Sequence, residues 1–210
     1  MKKIALSIMS TLLFSSACMA QNVQLPAPQK TGGKSIIETL WSRSSGNEYS
    51  SKMLSDQDLS NLLFAAIGIN REDGRLTSPT ARNLQEIRVF VFTAKGVSEY
   101  INKENSLKPL VEGDHRKLIA AHQDWVLDAP VSLLIVADEK KFGSNNDRSK
   151  LMMALDAGIV SENINMFCAG TGLVTRPRAS MDNDGIKALL NLDDTQTLLM
   201  NNPVGYPKQD

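Results

Sequence analysis

Apolar residues recur at helical spacing in several segments of the chain. A first helix is predicted over residues 34–42, with four large apolar side chains on one face. A second begins at Ser55, where Asp58 forms a weak capping box, and Gly68 can end it. A long third helix over 147–173 is apolar nearly all round, as a buried central helix would be. Shorter helices are predicted at 97–102, 115–127 and 183–190.

Three other segments have the composition of β-strands. They are IRVFVFTA (87–94), VSLLIVAD (131–138) and TQTLLMNN (195–202). The second is apolar without interruption, which predicts a strand covered on both faces of its sheet. Because helices outnumber strands and are mixed with them along the chain, the sequence predicts an α+β fold. In this fold a small sheet is flanked by helices, and the long helix packs against it.

The first twenty residues have the pattern of a secretory signal peptide. Lys2 and Lys3 precede an apolar run, and small residues follow it. The run is too short to form a stable membrane-spanning helix. We therefore expect residues 1–20 to direct export to the periplasm or the medium and to be cleaved after Ala20. The alternative is a lipid anchor at Cys18, because SSAC faintly resembles a lipoprotein cleavage box.

Composition and charge beyond the signal indicate an ordinary globular protein. The chain has 23 basic and 23 acidic residues and no basic run, so there is no electrostatic case for nucleic-acid binding. Residues 21–33 are rich in Pro, Gln and Gly and predict a flexible leader, followed by one domain over 34–208. Removal of the signal leaves one cysteine, Cys168, whose apolar surroundings predict a core residue.

Common catalytic motifs are missing from the sequence. No glycine-rich dinucleotide-binding loop follows a strand, and no phosphate-binding P-loop is present. The two histidines, His115 and His122, do not pair with a cysteine or carboxylate at a metal-ligand spacing, so no metal site is predicted. With so few candidate acids and bases, demanding chemistry would require a cofactor.

Two polar clusters remain as candidate binding sites. SRSS places Arg43 among hydroxyl groups at the end of the first helix, and both group types suit phosphate oxygens. SPTARNLQ offers the hydroxyl of Thr80 and the amides of Asn83 and Gln85, and an amide can pair with a ring edge bearing donor and acceptor. Simpler interpretations stay open, namely a solvated loop for the first cluster and a capped turn for the second.

Taken together, these segments resemble the nitroreductase-like flavoprotein family, which binds flavin mononucleotide (FMN), and within it the SagB-type dehydrogenase branch. SRSSGNEYS resembles the phosphate-binding Arg-x-Ser motif, and SPTARNLQ resembles the Pro-Ser-x-x-Asn-x-Gln motif. GLVTRPRASMD resembles the segment whose backbone approaches the flavin's reactive nitrogen, and NNPVGYPK resembles the final strand. The resemblance covers about residues 34–208. The cofactor-binding residues it implies are Arg43, Ser44, Ser45, Asn47, Pro79, Thr80, Asn83, Gln85, Gln123, Arg178, Ala179, Ser180 and Lys208.

The resemblance also implies a fold, an assembly and a reaction. The expected fold is an α/β sandwich with a small, mostly antiparallel sheet, in an intertwined homodimer that holds FMN at the interface. The phosphate site and the SPTARNLQ loop are expected to come from different subunits. Hydride would pass from NADH, NADPH or another donor through the flavin to a nitro compound, quinone or similar acceptor. No side chain is expected to be catalytic, since the flavin carries the chemistry.

Departures from the family pattern keep a second function open. Asn47 stands where the family often has a basic residue, and the chain ends at Asp210 without the longer basic tail of many members. Lys208 is a candidate replacement for that tail. Export would also separate the protein from the cytoplasmic supply of nicotinamide cofactor. The alternative is a non-catalytic protein that binds flavin or another planar ligand on the same scaffold.

Overall fold

One antiparallel sheet forms the middle layer of the molecule. The computed structural model describes residues 21–144 and 146–209. The seven strands in these ranges are β1 (Val23–Gln24), β2 (Ile87–Thr93), β3 (Gly96–Ile101), β4 (Ser106–Glu112), β5 (Val131–Asp138), β6 (Val174–Thr175) and β7 (Gln196–Gly205). Their order across the sheet is β1-β4-β3-β2-β5-β7-β6, and each neighbouring pair is antiparallel. The predicted α+β class is confirmed, with a larger sheet than expected.

Helices cover the sheet, and side-chain caps fix where the longer ones begin. Within the described ranges the α-helices are α1 (Ile36–Ser42), α2 (Asp56–Ile67), α3 (Arg116–Ala120), α4 (Asp147–Thr171) and α5 (Asn183–Leu190), and short 3-10 helices span Ala81–Asn83, Asp124–Asp128 and Glu139–Phe142. Ser55 accepts the Asp58 N–H before α2, and Asn146 accepts the Ser149 N–H before α4. Gly172 ends α4 at a φ of 78°, a left-handed conformation that glycine adopts without strain. The predicted long helix is confirmed.

The sheet lies between two apolar cores. α2 and α4 pack on one face, and α3 and α5 pack on the other. β5 contributes to both, because Leu133 and Ile135 enter the first core while Leu134 and Val136 enter the second. This confirms the prediction that VSLLIVAD is covered on both faces. Cys168 lies buried in the first core, as predicted, and burial raises the pKa of its thiol.

The chain between β2 and β4 corrects one prediction. The helix predicted over 97–102 is wrong, since these residues form β3 in a meander with β2 and β4. Val97 and Tyr100 are its buried side chains, a spacing of three that fits a helix as well as a bulged strand. Asn105, with a φ of 48°, makes the turn into β4. The conformation of this segment is therefore determined by its pairing with β2 and β4 and not by its own pattern of apolar residues.

The helix predicted over 115–127 is also wrong in length. α3 ends early because Ala121 takes a φ of 51°, which is unusual for a residue with a side chain. The guanidinium of Arg178 donates to the carbonyls of Ile119 and Ala120, at 3.1 and 3.3 Å. These two carbonyls near the end of the helix are thus satisfied by a side chain from another part of the chain. A separate 3-10 helix then leads to β5.

Part of the predicted flexible leader is ordered against the domain. β1 pairs with β4 and extends the sheet by one short edge strand. Leu25 is buried in the first core, and the Ser60 hydroxyl donates to the Pro26 carbonyl. Composition alone did not indicate these contacts. The predicted signal peptide, residues 1–20, and the alternative lipid anchor at Cys18 lie outside the described residues.

Candidate cofactor site

The segment after α1 presents the predicted phosphate ligands on the surface. α1 begins at Ser35, whose hydroxyl accepts the Glu38 N–H, and it ends where Arg43 takes an extended backbone. Arg43, Ser44 and Ser45 are all exposed. The Arg43 guanidinium has no salt-bridge partner within residues 21–144 and 146–209. One guanidinium and two hydroxyl groups are therefore accessible to a ligand.

Tyr49 fixes this segment against the C-terminal end of β7. Its ring is buried and stacks on Trp125, with 6.5 Å between the ring centroids. Its hydroxyl donates to the Gly46 carbonyl at 3.3 Å, and burial raises the pKa of the phenol. The Lys208 N–H donates to the Glu48 carbonyl at 3.4 Å. The C-terminal segment is thus held beside the predicted phosphate segment.

Two lysines, Lys208 and Lys34, lie next to the predicted phosphate segment. The family motifs indicate Lys208 but not Lys34. Lys208 and Asn47 line the same cavity, of about 700 Å³. Lys34 and Ser44 line a smaller cavity of about 190 Å³. The Lys34 N–H donates to the Gly170 carbonyl at 2.8 Å, which ties this end of the site to α4. No motif indicates Lys34, because its position depends on a contact with a helix far along the chain.

The SPTARNLQ loop contains three non-glycine residues in the left-handed conformation. Arg82, Asn83 and Gln85 have φ values of 55°, 55° and 51°, and such residues cost about 1–2 kcal/mol each. The Thr80 hydroxyl accepts the Gln85 N–H at 2.9 Å, and Gln85 Nε2 donates to the Gly74 carbonyl at 3.0 Å. The side chains of Thr80 and Gln85 therefore hold the loop in shape.

Asn83 is the side chain of this loop best placed to meet a ligand. It is exposed, its Oδ1 accepts from Gln85 Nε2 at 3.3 Å, and its amide N–H groups make no hydrogen bond to the described residues. Pro79 is also exposed, at the start of the loop. The Ala81 N–H donates to Asp156 Oδ2 at 2.8 Å, which anchors the loop to α4.

Arg178 fixes the third predicted segment from inside the fold. It is 7% exposed, and its guanidinium donates to Gln123 Oε1 at 3.0 Å and to Asn201 Oδ1 at 2.7 Å. Backbone hydrogen bonds join Arg178 and Asn201 in both directions, and Asn201 Nδ2 donates to the Ser180 carbonyl at 3.1 Å. Arg178 therefore orients Gln123 and the exposed Ala179. Direct contact of Arg178 with a cofactor stays a prediction.

Two of the three predicted segments meet at one end of α4, and the loop lies toward the other end. Trp125 stacks on Tyr49 and also lies 5.4 Å from the Arg178 guanidinium, so the first and third segments adjoin. The SPTARNLQ loop is hydrogen-bonded to Asp156 through the Ala81 N–H. The phosphate end of the site is hydrogen-bonded to Gly170 through the Lys34 N–H. The helix between these two anchors spans about 21 Å at 1.5 Å per residue. A single copy therefore keeps the loop and the phosphate segment apart.

Large apolar side chains are exposed on two helices. The exposed residues are Ile36, Ile37, Leu40 and Trp41, which we name the α1 face, and Leu151, Leu155 and Ile159, which we name the α4 stripe. Trp41 is 88% exposed, the highest value among them. The members of the α4 stripe are four residues apart and so lie on one side of the helix. Clusters of this kind on a protein surface mark interaction sites.

The described ranges contain neither a metal cluster nor a membrane-spanning helix. No three His, Cys, Asp or Glu side chains come together there in a group able to hold a metal ion. None of the helices of these ranges combines the length and apolar character needed to cross a bilayer. His115 immediately precedes α3 and is half-buried, and its Nε2 is 2.9 Å from the Glu112 carbonyl oxygen.

The chain is similar to known proteins over most of its length. The family model described as the Nitroreductase family matches residues 40–206. A protein of Methanocaldococcus jannaschii assigned as a nitroreductase is 28% identical in an alignment of 193 positions that covers 87% of this chain and 95% of that protein. A solved structure from Ralstonia eutropha, also assigned as a nitroreductase, gives a TM-score of 0.84 at 26% identity and covers 92% of each chain. An FMN-dependent nitroreductase of Clostridium difficile shares the fold, with a TM-score of 0.58 at 19% identity over 83% of this chain and 88% of that chain.

Proposed function

We propose that this chain, which belongs to the nitroreductase family, is an exported FMN-dependent enzyme. Hydride from a nicotinamide donor would be passed to a nitro compound, quinone or similar acceptor. Family membership follows from the match over residues 40–206 and makes the chain an oxidoreductase of that family. Dependence on FMN is supported by the resemblance and by the relative named as FMN-dependent. When bound, FMN supplies the redox chemistry, because its ring takes up and releases hydride.

The residues at the end of α1 fit the phosphate of such a cofactor. Arg43 presents a planar fork of N–H donors, which suits two phosphate oxygens, and the two serines that follow add short donors. Asn47 brings no charge, but Lys34 and Lys208 lie beside the segment and supply two ammonium groups. This accessible set of cationic and hydroxyl donors is the observation that carries the proposal.

The loop and the third segment fit the flavin ring. The exposed amide of Asn83 offers a donor and an acceptor to a ring edge that carries both. Thr80 and Gln85 would act indirectly, by holding the backbone of the loop. Gln123 keeps amide N–H groups available while its oxygen is bonded to Arg178, and the backbone beside Ala179 is accessible.

We propose a homodimer because one copy does not bring these groups together. The loop and the phosphate segment are separated by about 21 Å of α4. If two α4 helices pair in antiparallel fashion about residue 163, midway between Asp156 and Gly170, the loop of each copy approaches the phosphate end of the other, and Leu155 and Ile159 of the α4 stripe lie within the paired length. The α1 face supplies a second apolar surface that such a dimer would cover. FMN would then lie between the copies, with its phosphate on one and its ring against Asn83 of the other.

Export is a separate part of the proposal. It is supported by the pattern of residues 1–20, which predicts removal of the signal after Ala20. Mass analysis of the N-terminal peptide from a fractionated native host tests it, and we expect a peptide that begins at Gln21 in the exported fraction. A lipid mass on Cys18 would instead show the anchor, and a cytoplasmic protein that retains residues 1–20 would contradict export.

Arg43→Ala tests the phosphate site. Loss of an Arg–phosphate pair should weaken FMN binding by about 1.5–3 kcal/mol, roughly ten- to a hundredfold in the dissociation constant. Quenching of flavin fluorescence on titration measures this. Arg75→Ala removes another exposed arginine, paired with Asp73 at 3.5 Å, and is the matched control with unchanged affinity. If Arg43→Ala binds FMN as tightly as the wild type, Arg43 does not belong to the site.

Rapid mixing separates an enzyme from a protein that only binds flavin. The neutral Asn47 in the phosphate segment is the feature that favours the second function. The enzyme should lose its flavin absorbance on mixing with NADH or NADPH and regain it when a quinone or nitro compound is added. A flavin that is bleached by dithionite but by neither nicotinamide would support the binding protein instead.

A further inference from the structure

A buried pair of carboxyl groups lies beneath the SPTARNLQ loop. Glu86, just before β2, is 0% exposed, and neither of its carboxyl oxygens has a hydrogen-bond partner within the described residues. Asp156 on α4 is 5% exposed, accepts the Ala81 N–H at 2.8 Å, and interacts with Glu86 closely enough to raise the pKa of that carboxyl group. Neither carboxyl group has a part in the cofactor binding proposed above.

One proton would resolve this arrangement. Two ionised carboxylates in contact in a buried site repel each other, and the oxygens of Glu86 would also lack donors. If Glu86 is protonated, it becomes a donor to Asp156, and Asp156 still accepts the Ala81 N–H through its other oxygen. Burial, together with the neighbouring Asp156, raises the pKa of Glu86 to about 7. The proton would therefore be lost close to neutral pH.

Other charged groups approach the pair from the neighbouring elements. The Lys141 ammonium follows β5 and contacts the Gln85 carbonyl, and its charge lowers the pKa of Glu86, against the larger effect of burial. Other charged residues nearby make contacts of their own: Arg82 lies over the Phe142 ring, and Asp138 accepts the Lys140 N–H. Glu139 accepts from the Thr197 hydroxyl through one oxygen, while its other oxygen is buried without a hydrogen-bond partner among the described residues. Burial of Glu86, together with its interaction with Asp156, therefore outweighs the attraction of the nearby ammonium group.

We propose that Glu86 and Asp156 share one proton and together act as a positioning pair that holds the SPTARNLQ loop in its strained conformation. The hydrogen bond from Ala81 to Asp156 lies immediately before Arg82 and Asn83, the first two left-handed residues. Strained residues persist only where the surroundings fix them. Loss of the shared proton places two negative charges under the loop and releases it. The consequence for the flavin ring, which Asn83 would orient, rests on the proposed function, whereas the pair itself does not.

Hydrogen exchange of the Ala81 amide in the chain without flavin tests the pair. Between about pH 6 and about pH 8, after correction for intrinsic exchange rates, wild-type protection should fall about tenfold or more. Glu86→Gln keeps a neutral donor toward Asp156, so its protection should stay constant over that range. Glu112→Gln removes an exposed carboxylate on β4 and should behave as the wild type. The proposal is overturned if the protection of the Ala81 amide in the wild type does not change with pH, or if it falls equally in Glu86→Gln.

Asp156→Asn provides a second variant that keeps the size of the side chain. Its amide oxygen can accept the Ala81 N–H while its amide group donates to Glu86, so Ala81 should stay protected up to about pH 8 without a shared proton. Asp156→Ala has no acceptor and should lose most of the protection at every pH. Protection of Ala81 that is equal in the wild type and in Asp156→Ala contradicts a role for the pair.

FMN titrations separate this inference from the proposed function. As the pH rises, the affinity of the wild type for FMN should fall relative to that of Glu86→Gln. The FMN phosphate also ionises, with a second pKa of about 6, but this affects both proteins equally and cancels when they are compared at the same pH. If no variant binds FMN while Ala81 responds as expected, the proposed function fails and the pair stands. If FMN binds with the same pH dependence in both proteins, the positioning role is overturned.

Discussion

Trp41 provides a sharp test of the proposed homodimer. Its side chain is 88% exposed in a single copy, and aromatic side chains bury about 150–250 Å² each. Covering that fraction at about 25 cal/mol per Å² contributes roughly 3–5 kcal/mol per copy as an upper bound. Ordering of side chains in the interface offsets part of this gain. We therefore expect Trp41→Ala to weaken dimerisation by at least about 2 kcal/mol, roughly thirtyfold in the dissociation constant.

Sedimentation equilibrium over a dilution series measures that change. Leu110→Ala is the control, because Leu110 is a partly exposed apolar residue on β4 outside the α1 face and the α4 stripe, and its dimer should dissociate as the wild type does. Circular dichroism checks that both variants keep the fold. A wild type that is monomeric at every concentration would contradict the proposed homodimer. A Trp41→Ala dimer with the same dissociation constant as the wild type would contradict the placement of Trp41 in its interface.

Three further predictions concern buried groups of the fold. The raised pKa of Glu86 means that the folded state binds its proton more tightly than the unfolded chain, so its contribution to stability is complete below pH 4.5 and is lost as the pH rises to about 7. Urea unfolding of the wild type and of Glu86→Gln measures this effect. Between pH 4.5 and about 7 the wild type should lose up to about 3 kcal/mol of unfolding free energy relative to the variant. If the unfolding free energies of the two proteins change in parallel with pH, the pKa of Glu86 is not raised. Arg178→Met leaves two α3 carbonyls without their donor and should lower the unfolding free energy by about 3 kcal/mol. The exposed control Arg75→Met should lower it by less than about 0.5 kcal/mol. Equal losses of unfolding free energy in the two variants would refute the buried network. Gly205→Ala would place a Cβ 2.7 Å from Pro130 Cδ and should cost about 1–3 kcal/mol, so an unchanged melting temperature would contradict the close packing there.

Elements with strong local patterns could be predicted from the sequence. The two-sided burial of β5, the length of α4 and the cap at Ser55 depend on neighbouring side chains, and all three are confirmed. The sandwich fold expected from the family resemblance is confirmed by the Ralstonia eutropha structure. Local chemistry and the family pattern therefore account for the core of the fold.

Strands that depend on distant partners could not be predicted in this way. Val23 pairs with Leu107, so the edge strand in the leader exists only once the meander has formed. β3 carries an irregularity between Val97 and Ser98, which interrupts the alternation that normally identifies a strand. In both cases the pairing partner, and not the segment's own pattern, determines the structure.

Motifs locate the segments of the candidate site but not its geometry. From the sequence, Arg178 is a candidate ligand-binding residue, yet its guanidinium makes hydrogen bonds to buried groups of the fold. Lys34 and Glu86 have no motif, because one gains its place from α4 and the other from burial against Asp156. The SagB-type branch, the electron donor and the contact of each named residue with FMN stay predictions.

The cofactor content of the purified protein is the most direct test of whether this chain is an FMN-dependent enzyme. Residues 21–210, prepared under native conditions, are examined by absorption spectroscopy, and any released small molecule is identified by mass. We expect an oxidised flavin band and the release of FMN, with about one molecule per chain when added FMN saturates the dimer. A colourless protein that takes up no added FMN would contradict it.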